Sequence, residues 1–245
     1  MSSYKEFAHI YDALMTDIPY ENYVHKVLSC IDDVKGKSLL DIGCGTGVLS
    51  AMFSDQGFQV QAIDLSEEML SMASNRFQKG GFDIPLFHMS MTDLEGFNDI
   101  DVAILSIDSL NYLETEDEVL QTFQGVYEAL NEGGQLFFDV HSVHKMDELF
   151  LDGPFTYEDE DVAYIWHTEE GEHPHSVYSD LTFFMKTANG LYERFEESHF
   201  QRSYDVDHYI EWLRQIGFSK VNVTADWTNE TPNDSSERIF FHAVK

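Results

Sequence analysis

Cysteine and long apolar runs are scarce in this chain of 245 residues. Its two cysteines, Cys30 and Cys44, form no Cys-x-x-Cys pair, so neither a disulfide scaffold nor a thiolate zinc site is expected. The longest apolar runs, at residues 102–105 and 136–138, have the length of one strand and are too short to cross a bilayer. The first residues also lack the apolar stretch of a signal peptide, so we expect no membrane association and a cytoplasmic location.

Positive charge is scarce as well. The chain has 14 Lys and Arg against 45 Asp and Glu, which gives a formal net charge of −31. No Lys or Arg occurs between residues 80 and 144, whereas thirteen acidic residues fall in that span. Because such a surface repels polyanions, nucleic acid is not an expected partner. With 43% hydrophobic residues the chain still has enough apolar material for a buried core.

Strand-like and helix-like patterns alternate from residue 38 to residue 141. This alternation is typical of a mostly parallel sheet covered by helices on both faces. Ser66 is a predicted helix N-cap, and Thr115 with Glu118 fits a capping box. The predicted strands lie at residues 38–42, 59–63, 101–105 and 135–140, and the predicted helices at 48–53, 66–77 and 115–130.

After His141 the pattern changes to consecutive strand-like segments. The dipeptide Asn189-Gly190 predicts a two-residue hairpin between the last two of them. We therefore expect an antiparallel β insert at residues 150–203, which acts as a substrate lid or as the interface of a homodimer. The main domain then consists of residues 1–149 and 204–245. The remaining predicted elements are strands at 162–168, 177–187 and 191–201, a helix at 206–216, and strands at 220–225 and 238–244.

A glycine-rich turn follows the first predicted strand, with Gly43, Gly45 and Gly47 at alternate positions and Asp41 before them. Alternate glycines let the backbone turn tightly and let a ligand lie against it. The third glycine comes one residue earlier than in the dinucleotide fingerprint, and a carboxylate at Asp41 would repel a pyrophosphate but pair with an ammonium group. Asp64 ends the second strand, where a carboxylate can accept both hydroxyls of a ribose. The set favours an amine-bearing ribonucleoside over NAD.

With these residues the sequence resembles the class I S-adenosylmethionine-dependent methyltransferases, from Tyr11 to about Ser142 and again in the last helix and two strands. It is more narrowly similar to a group of small bacterial methyltransferases. They share Ile-Tyr-Asp-x-Leu-Met (residues 10–15), Phe-Asp-x-His/Asn-Ser (138–142) and an antiparallel insert before the last helix. The resemblance implies a Rossmann-like α/β fold with a seven-stranded sheet of order 3-2-1-4-5-7-6 whose last strand is antiparallel. It also implies S-adenosyl-L-methionine as the cofactor.

The resemblance further implies which residues contact that cofactor. The glycine turn and Asp41 would line its methionine and ribose, and Asp64 would hold the ribose hydroxyls. Tyr11 would cover the methionine end, with packing in the first helix as the alternative role. Asp93 would accept a hydrogen bond from the adenine amino group, with an ordinary loop acid as the alternative. The expected cofactor-binding residues are Tyr11, Asp41, Gly43, Gly45, Gly47, Asp64, Leu65, Met69, Thr92, Asp93 and Ser106.

Substrate is expected beyond the carboxyl ends of strands four and five, as in other open α/β sheets. The candidates there are Asp108, Asn111, Tyr112 and His141, and both His141 and Tyr112 are candidate catalytic residues. His141 could act as a base near neutral pH, or it could be a hydrogen-bonded structural histidine. The segment lacks the Asn/Asp-Pro-Pro-Tyr/Phe motif of amino-methylating enzymes acting on adenine or glutamine, and it lacks a nucleophilic cysteine. Both absences argue against a nucleobase substrate.

Three histidines of the insert, His167, His173 and His175, alternate with glutamates in a pattern that could bind zinc. They fall on a predicted hairpin tip, which does not fix ligand geometry. We therefore expect a solvated acidic turn and no metal site. The glutamates concerned are Glu169, Glu170 and Glu172.

The sequence thus predicts a methyltransferase that uses S-adenosyl-L-methionine and an unidentified small-molecule or protein acceptor, by in-line attack on the methyl group. A general base is not obligatory, because the sulfonium is a reactive donor and the protein supplies alignment. Two alternatives stay open. One is a NAD-type nucleotide-binding oxidoreductase on the same fold, and the other is a non-catalytic protein that binds the cofactor or a partner.

Overall fold

The computed structural model describes residues 18–187 and 189–245, which form two β-sheets and the helices packed against them. The first sheet follows the alternating part of the chain, and the second lies within the predicted insert. The elements in chain order are α1 (Tyr20–Leu28), β1 (Ser38–Ile42), α2 (Val48–Asp55), β2 (Gln59–Asp64), α3 (Glu67–Gly80), β3 (Leu86–His88), β4 (Ile100–Leu105), α4 (Glu116–Ala129), β5 (Leu130–His141), β6 (Phe155–Glu158), β7 (Val162–Glu170), β8 (Ser176–Lys186), β9 (Tyr192–Arg202), α5 (Val206–Ile216), β10 (Lys220–Ala225) and β11 (Arg238–Val244).

The larger sheet has seven strands in the order β10-β11-β5-β4-β1-β2-β3. Strands β1 to β5 are parallel to one another, whereas β11 is antiparallel to both β5 and β10. Numbered within this sheet alone, the order is 3-2-1-4-5-7-6 with the last strand antiparallel. The predicted α/β fold class is therefore confirmed.

Both faces of this sheet are covered by helices. Leu39 of β1 packs with α1, α2 and α3, whereas the next residue, Leu40, packs on the opposite face with α4 and α5. Because side chains alternate between the two faces of a strand, a sheet covered on both sides needs apolar residues at successive positions. This explains the short continuous apolar runs in the sequence.

The helix starts that the sequence predicts are present. The Ser66 hydroxyl accepts a hydrogen bond from the Met69 N–H at 3.2 Å and caps α3. At the start of α4, Thr115 Oγ1 accepts from the Glu118 N–H at 3.3 Å, and Glu118 Oε2 accepts from the Thr115 N–H at 2.9 Å. These reciprocal bonds form the predicted capping box.

The second sheet has four antiparallel strands in the order β6-β7-β8-β9 and falls inside the range predicted for the insert. Strand β6 was not predicted. The two-residue length predicted for the β8–β9 turn is wrong, because Lys186 pairs with Tyr192 and five residues separate the strands. Thr187 N–H also donates to the Leu191 carbonyl at 2.7 Å, which closes a wider loop with Gly190 at a φ of +79°. The division into two domains stays a prediction.

The insert is held over the carboxyl ends of the parallel strands. At its entry, Met146 and Phe150 pack with Val177 of β8 and with Trp166 of β7. At its exit, the Ser203 hydroxyl donates to the His141 carbonyl at 2.5 Å. Both ends therefore meet the main sheet where β5 ends. No helix in the described part of the chain is long and apolar enough to span a membrane.

Candidate cofactor and acceptor site

The turn between β1 and α2 carries the three alternate glycines in left-handed conformations. The φ angles of Gly43, Gly45 and Gly47 are +74°, +54° and +75°. A Cβ added at Gly47 would lie 2.6 Å from the Phe77 ring and 3.0 Å from the Ala73 Cβ, so α3 packs directly on this turn. A Cβ added at Gly45 would meet no described atom within 4 Å, so the backbone there borders open space. The turn offers a ligand bare backbone on one side and a packed helix on the other.

Asp64 connects the end of β2 to this turn. Its Oδ2 accepts a hydrogen bond from the Gly45 N–H at 2.7 Å, and its Oδ1 accepts from the Ser66 N–H at 2.8 Å. The next residue, Leu65, is 69% exposed and offers an apolar surface beside the carboxylate. The structure therefore places an acceptor-only group next to an apolar surface at the open side of the turn.

The other residues expected near adenine lie around this point. Met69 is half-buried in the first turn of α3, and Thr92 and Asp93 follow β3 in a loop where Asp93 is exposed. The His88 Nε2 atom lies 2.8 Å from the Leu65 carbonyl, which ties the end of β3 to the segment after β2. Tyr11 lies outside the described residues.

Asp41 does not face the open side of the turn. Its side chain is buried, and its Oδ2 accepts from the Ser50 hydroxyl of α2 at 2.5 Å. Burial raises the pKa of Asp41 to about 7, against the effect of the Ser50 hydrogen bonds. The carboxyl group thus fixes the turn to α2 from beneath, which differs from the expected pairing with an ammonium group.

The residues fit a nucleoside with an amine-bearing side chain. The open backbone at Gly45 leaves room for the amine-bearing chain. The Asp64 carboxylate can accept hydrogen bonds from the ribose hydroxyls, and the exposed Leu65 offers an apolar surface to the adenine ring. A pyrophosphate would meet the carboxylate of Asp64 at the open side of the turn. The donor set therefore suits S-adenosyl-L-methionine.

The segment after β4 is held by a buried carboxylate of β5. The buried Ser106 directly follows β4, and the next two residues, Ile107 and Asp108, have φ angles of +57° and +51°. Their N–H groups donate to the two oxygens of Asp139, at 2.8 and 3.1 Å. Residues other than glycine adopt these angles only where the surroundings compensate the strain, and Asp139 supplies that compensation. Arg238 of β11 in turn forms an ion pair with Asp139.

Asp108 lies at the centre of a buried polar cluster. Its oxygens accept from Arg238 Nη2 at 2.8 Å and from Gln201 Nε2 at 2.9 Å, and His141 Nε2 lies 3.4 Å away. Burial alone would raise the pKa of Asp108, but His141 and the permanently charged Arg238 hold that pKa well below its usual value. Burial lowers the pKa of His141, against the attraction of Asp108.

A neutral His141 beside an ionised Asp108 carries its proton on Nε2. Its Nδ1 then presents a lone pair, and within residues 18–187 and 189–245 this atom has no hydrogen-bond partner. The ring is 5.0 Å from the Phe150 ring in an edge arrangement and is almost fully buried. The buried His141 therefore has an unprotonated Nδ1 atom that can accept a proton.

Asn111 and Tyr112, on the short 3-10 helix after β4, differ in their surroundings. The fully buried Asn111 donates to the Arg202 carbonyl at 2.7 Å and accepts from the His141 N–H at 2.9 Å, so its amide joins three elements. Tyr112 is 47% exposed, and its hydroxyl lies 3.4 Å from His199 Nδ1 on β9. The four substrate-side candidates thus surround one region, but Asn111 is occupied by backbone groups.

Sequence reasoning missed three residues of this region: Arg238, Gln201 and His199. Each reaches the strand ends from a distant part of the chain, and no local motif marks it. Only the charge of Arg238, at the start of the last predicted strand, was a signal, since a charged residue in a buried sheet needs a partner. In the insert, His175 Nδ1 contacts Asp147 Oδ2 at 2.7 Å, and the described residues contain no group of three His, Cys, Asp or Glu that could hold a metal.

Comparisons with known proteins agree with this geometry. The model of a methyltransferase domain family matches residues 39–134. "Putative methyltransferase GWCH70_2453" of Geobacillus sp. (strain WCH70) is 45% identical over 99% of this chain and 100% of its own length. "Putative methyltransferase YqeM" of Bacillus subtilis (strain 168) is 40% identical, covering 99% of this chain and 97% of that protein.

A solved structure is also similar along almost the whole chain. An S-adenosylmethionine-dependent methyltransferase from Clostridium acetobutylicum ATCC 824 shares 28% identity, with a TM-score of 0.89 and coverage of 98% of both chains. The chain belongs to the class I S-adenosylmethionine-dependent methyltransferases. The resemblance stated from the sequence is confirmed, and so is the cofactor that the family uses, S-adenosyl-L-methionine.

Proposed function

We propose that this protein transfers the methyl group of S-adenosyl-L-methionine to a neutral or cationic acceptor, either a small molecule or a protein side chain. The observation that carries the proposal is the pair formed by Asp64 and the Gly45 N–H at 2.7 Å, beside the exposed Leu65. It joins the ribose-binding carboxylate to the glycine turn at one point. The formal net charge of −31 argues against a polyanionic acceptor.

Each group of residues has a distinct part in the proposed reaction. Gly43, Gly45 and Gly47 support the methionine chain of the cofactor, Asp64 binds its ribose, and the exposed Leu65 contacts adenine. Met69, Thr92, Asp93 and Ser106 complete the cofactor contacts, and Asp41 supports the turn from beneath. When bound, the cofactor supplies a sulfonium methyl group, whose bond to sulfur breaks as the acceptor atom bonds to the carbon.

The acceptor binds beyond the ends of β4 and β5, among Asp108, Tyr112 and His141, while Asn111 keeps the two strand ends in register. Either His141 or Tyr112 removes a proton from the acceptor when its attacking atom carries one. The insert lies over this region and limits its contact with water, which favours the attack of an uncharged nucleophile. The homodimer through the insert and the cytoplasmic location stay predictions.

Calorimetric titration with S-adenosylmethionine and S-adenosylhomocysteine tests the proposal. Micromolar binding is expected for the wild type, and Asp64→Ala should weaken it about a hundredfold, since charged hydrogen bonds to two hydroxyls are lost. Asp55→Ala, at the exposed end of α2, is the matched control and should bind as the wild type does. Undiminished binding in Asp64→Ala would contradict the site. Stabilisation of the wild type by NAD alone would contradict the proposed function.

A further inference from the structure

Three alternate residues of β9 face the strand ends where the acceptor is proposed to bind. Glu197, His199 and Gln201 are separated by one residue each, so they share one face of the strand. Gln201 contacts Asp108 and His199 contacts Tyr112, which shows that this face meets the segment after β4. We name Glu197, His199 and Gln201 the β9 row; it is about 13 Å long at the usual rise of a strand.

Neighbouring strands add unsatisfied and aromatic groups to the same face. The register places Ser179 of β8 opposite His199, and Leu181, which pairs with Trp166, opposite Glu197. In the described part of the chain, the buried Ser179 Oγ and Trp166 Nε1 atoms have no hydrogen-bond partner. Buried polar atoms without partners cost free energy, so their presence beside the row points to a ligand that satisfies them.

Tyr112, His199 and Glu197 form a hydrogen-bonded chain. Tyr112 Oη lies 3.4 Å from His199 Nδ1, and His199 Nε2 lies 3.3 Å from Glu197 Oε2. An ionised Glu197 only accepts hydrogen bonds, so it fixes the proton of a neutral His199 on Nε2. Nδ1 then accepts from the Tyr112 hydroxyl. The chain is thus set to take a proton from a group that contacts Tyr112.

The charges around the row favour a cation. The row itself carries the carboxylate of Glu197, and Gln201 contacts the carboxylate of Asp108. Of the nearby cations, Arg238 is shared by Asp108 and Asp139. Arg202 donates to the Glu114 carbonyl and lies over the Tyr204 ring, and Lys145 lies 5.3 Å from the centre of the Phe150 ring. The Trp166 ring, 5.4 Å from the Phe150 ring, adds an aromatic surface of the kind that attracts ammonium groups.

We infer that the acceptor is an amine, bound as an ammonium between Trp166 and the β9 row, and that Tyr112 relays its proton to His199. This inference rests on the proposed function and specifies its substrate class. The ammonium gives one proton to Tyr112 Oη while the Tyr112 hydroxyl proton passes to His199 Nδ1. The imidazolium that forms is stabilised by Glu197. The amine keeps its lone pair, which then attacks the methyl carbon.

The inference assigns different tasks to the residues. Tyr112 touches the acceptor and is the catalytic residue, because it is half-exposed while His141 is buried against Phe150. His199 and Glu197 act through Tyr112 and are positioning residues. Gln201 and His141 hold Asp108 and so fix the inner end of the site.

Binding of two matched probes tests the substrate class. The full chain saturated with S-adenosylhomocysteine is titrated with benzylamine and with benzyl alcohol, which share a ring and differ in charge. Physiological salt suppresses nonspecific attraction to the acidic surface. We expect benzylamine to bind about tenfold more tightly and Glu197→Gln to abolish this preference. Glu196→Gln changes the neighbouring residue on the opposite face of β9 and should leave the preference intact.

The outcomes are distinguishable. Both variants should bind S-adenosylhomocysteine with an affinity within about twofold of the wild type. A change in probe binding then does not come from damage to the cofactor site. Equal binding of the two probes, no binding of benzylamine, or equal effects of Glu197→Gln and Glu196→Gln would overturn the amine assignment. Failure of the wild type to bind S-adenosylhomocysteine would instead overturn the proposed function.

A pH profile tests the relay. With labelled S-adenosylmethionine, the wild type should convert benzylamine to N-methylbenzylamine at a rate that rises with pH. Tyr112→Phe and His199→Asn should move the rising limb to higher pH and lower kcat at least tenfold, with KM for the cofactor unchanged. If Tyr112 and His199 had only a structural role, the two substitutions would lower the rate without moving the rising limb of the pH profile. An unmoved limb, or bound benzylamine without product, would overturn the relay.

Discussion

Arg238 and Asp108 form an ion pair with 2.8 Å between Nη2 and Oδ1, although 130 residues separate them in the sequence. Arg238 also pairs with Asp139, whose carboxylate holds the backbone of residues 107 and 108. One guanidinium group therefore balances two buried carboxylates at the carboxyl edge of the sheet. The loop that carries the substrate-side residues depends on the first residue of β11.

Replacing Arg238 by Met should lower the free energy of unfolding by about 3–5 kcal/mol, because two buried carboxylates lose their counter-charge. Urea denaturation measures the loss. The control is Arg194→Met, which removes a half-exposed ion pair with Glu196 and should cost no more than about 1 kcal/mol. Equal losses in the two variants would show that the buried cluster has no special weight.

Replacing Asp41 by Asn should change how stability depends on pH. The folded protein keeps a proton on Asp41 up to a pKa of about 7, whereas the unfolded chain releases it near 3.8. Because the unfolded state binds fewer protons in this window, the free energy of unfolding of the wild type falls as pH rises from about 4 to 7. Relative to the wild type, Asp41→Asn should therefore gain up to about 4 kcal/mol between pH 4 and 8.

Urea denaturation at several pH values measures this difference, and Asn can still accept the hydrogen bond from Ser50. The control is Asp55→Asn, at the exposed end of α2, the helix that carries Ser50. Its free energy of unfolding should depend on pH in the same way as that of the wild type. If Asp41→Asn also shows this dependence, then the Asp41 carboxyl is ionised throughout this range and the pKa assignment is wrong.

Two glycine substitutions should separate binding from folding. Gly45→Ala should cost about 1 kcal/mol for its left-handed backbone, yet weaken S-adenosylhomocysteine binding at least tenfold, because the new methyl group enters the open space beside Asp64. Gly47→Ala should cost about 1–3 kcal/mol more, because its methyl group would overlap the Phe77 ring. Thermal unfolding and calorimetry on both proteins provide the comparison. Full binding by a folded Gly45→Ala protein would mean that the cofactor lies elsewhere.

Replacing Asn111 by Leu should destabilise the junction of the two sheets. The change leaves the Arg202 carbonyl and the His141 N–H buried without partners, at a cost of about 2–5 kcal/mol. Hydrogen exchange at the His141 amide should accelerate by at least tenfold. Asn75→Leu, on the exposed face of α3, should leave that amide unchanged. Slow exchange in Asn111→Leu would show that the junction is held by other contacts.

Local patterns in the sequence were enough to predict most of the main sheet. Strands β10 and β11 lie at the predicted residues, and Ser66 and Thr115 cap the predicted helices, because hydrophobic period and capping chemistry are encoded within a few residues. Strand β6 was missed because it has only four residues, and most of them are exposed. The wider β8–β9 turn depends on a backbone pair formed by Thr187 and Leu191 outside the strands.

In the candidate site, too, the features set by local sequence were predictable and those set by the folded topology were not. The glycine turn and Asp64 were predictable, since a fixed spacing after a strand determines both. The burial of Asp41 under Ser50 was not, because the helix that follows the turn decides which way the carboxyl group points. Arg238 and Gln201 reach Asp108 across 130 and 93 residues, and a contact of that range depends on the folded topology and not on any local pattern.

The attachment of the insert at both of its ends has an evolutionary consequence. The proposed donor-binding residues all precede Ile107, whereas the β9 row comes from the inserted segment. Duplicated genes could therefore diversify after residue 106 while they keep the same methyl source. A chimera that exchanges residues 107–203 between relatives should inherit the acceptor of that segment's parent, because this range holds both the segment after β4 and the β9 row.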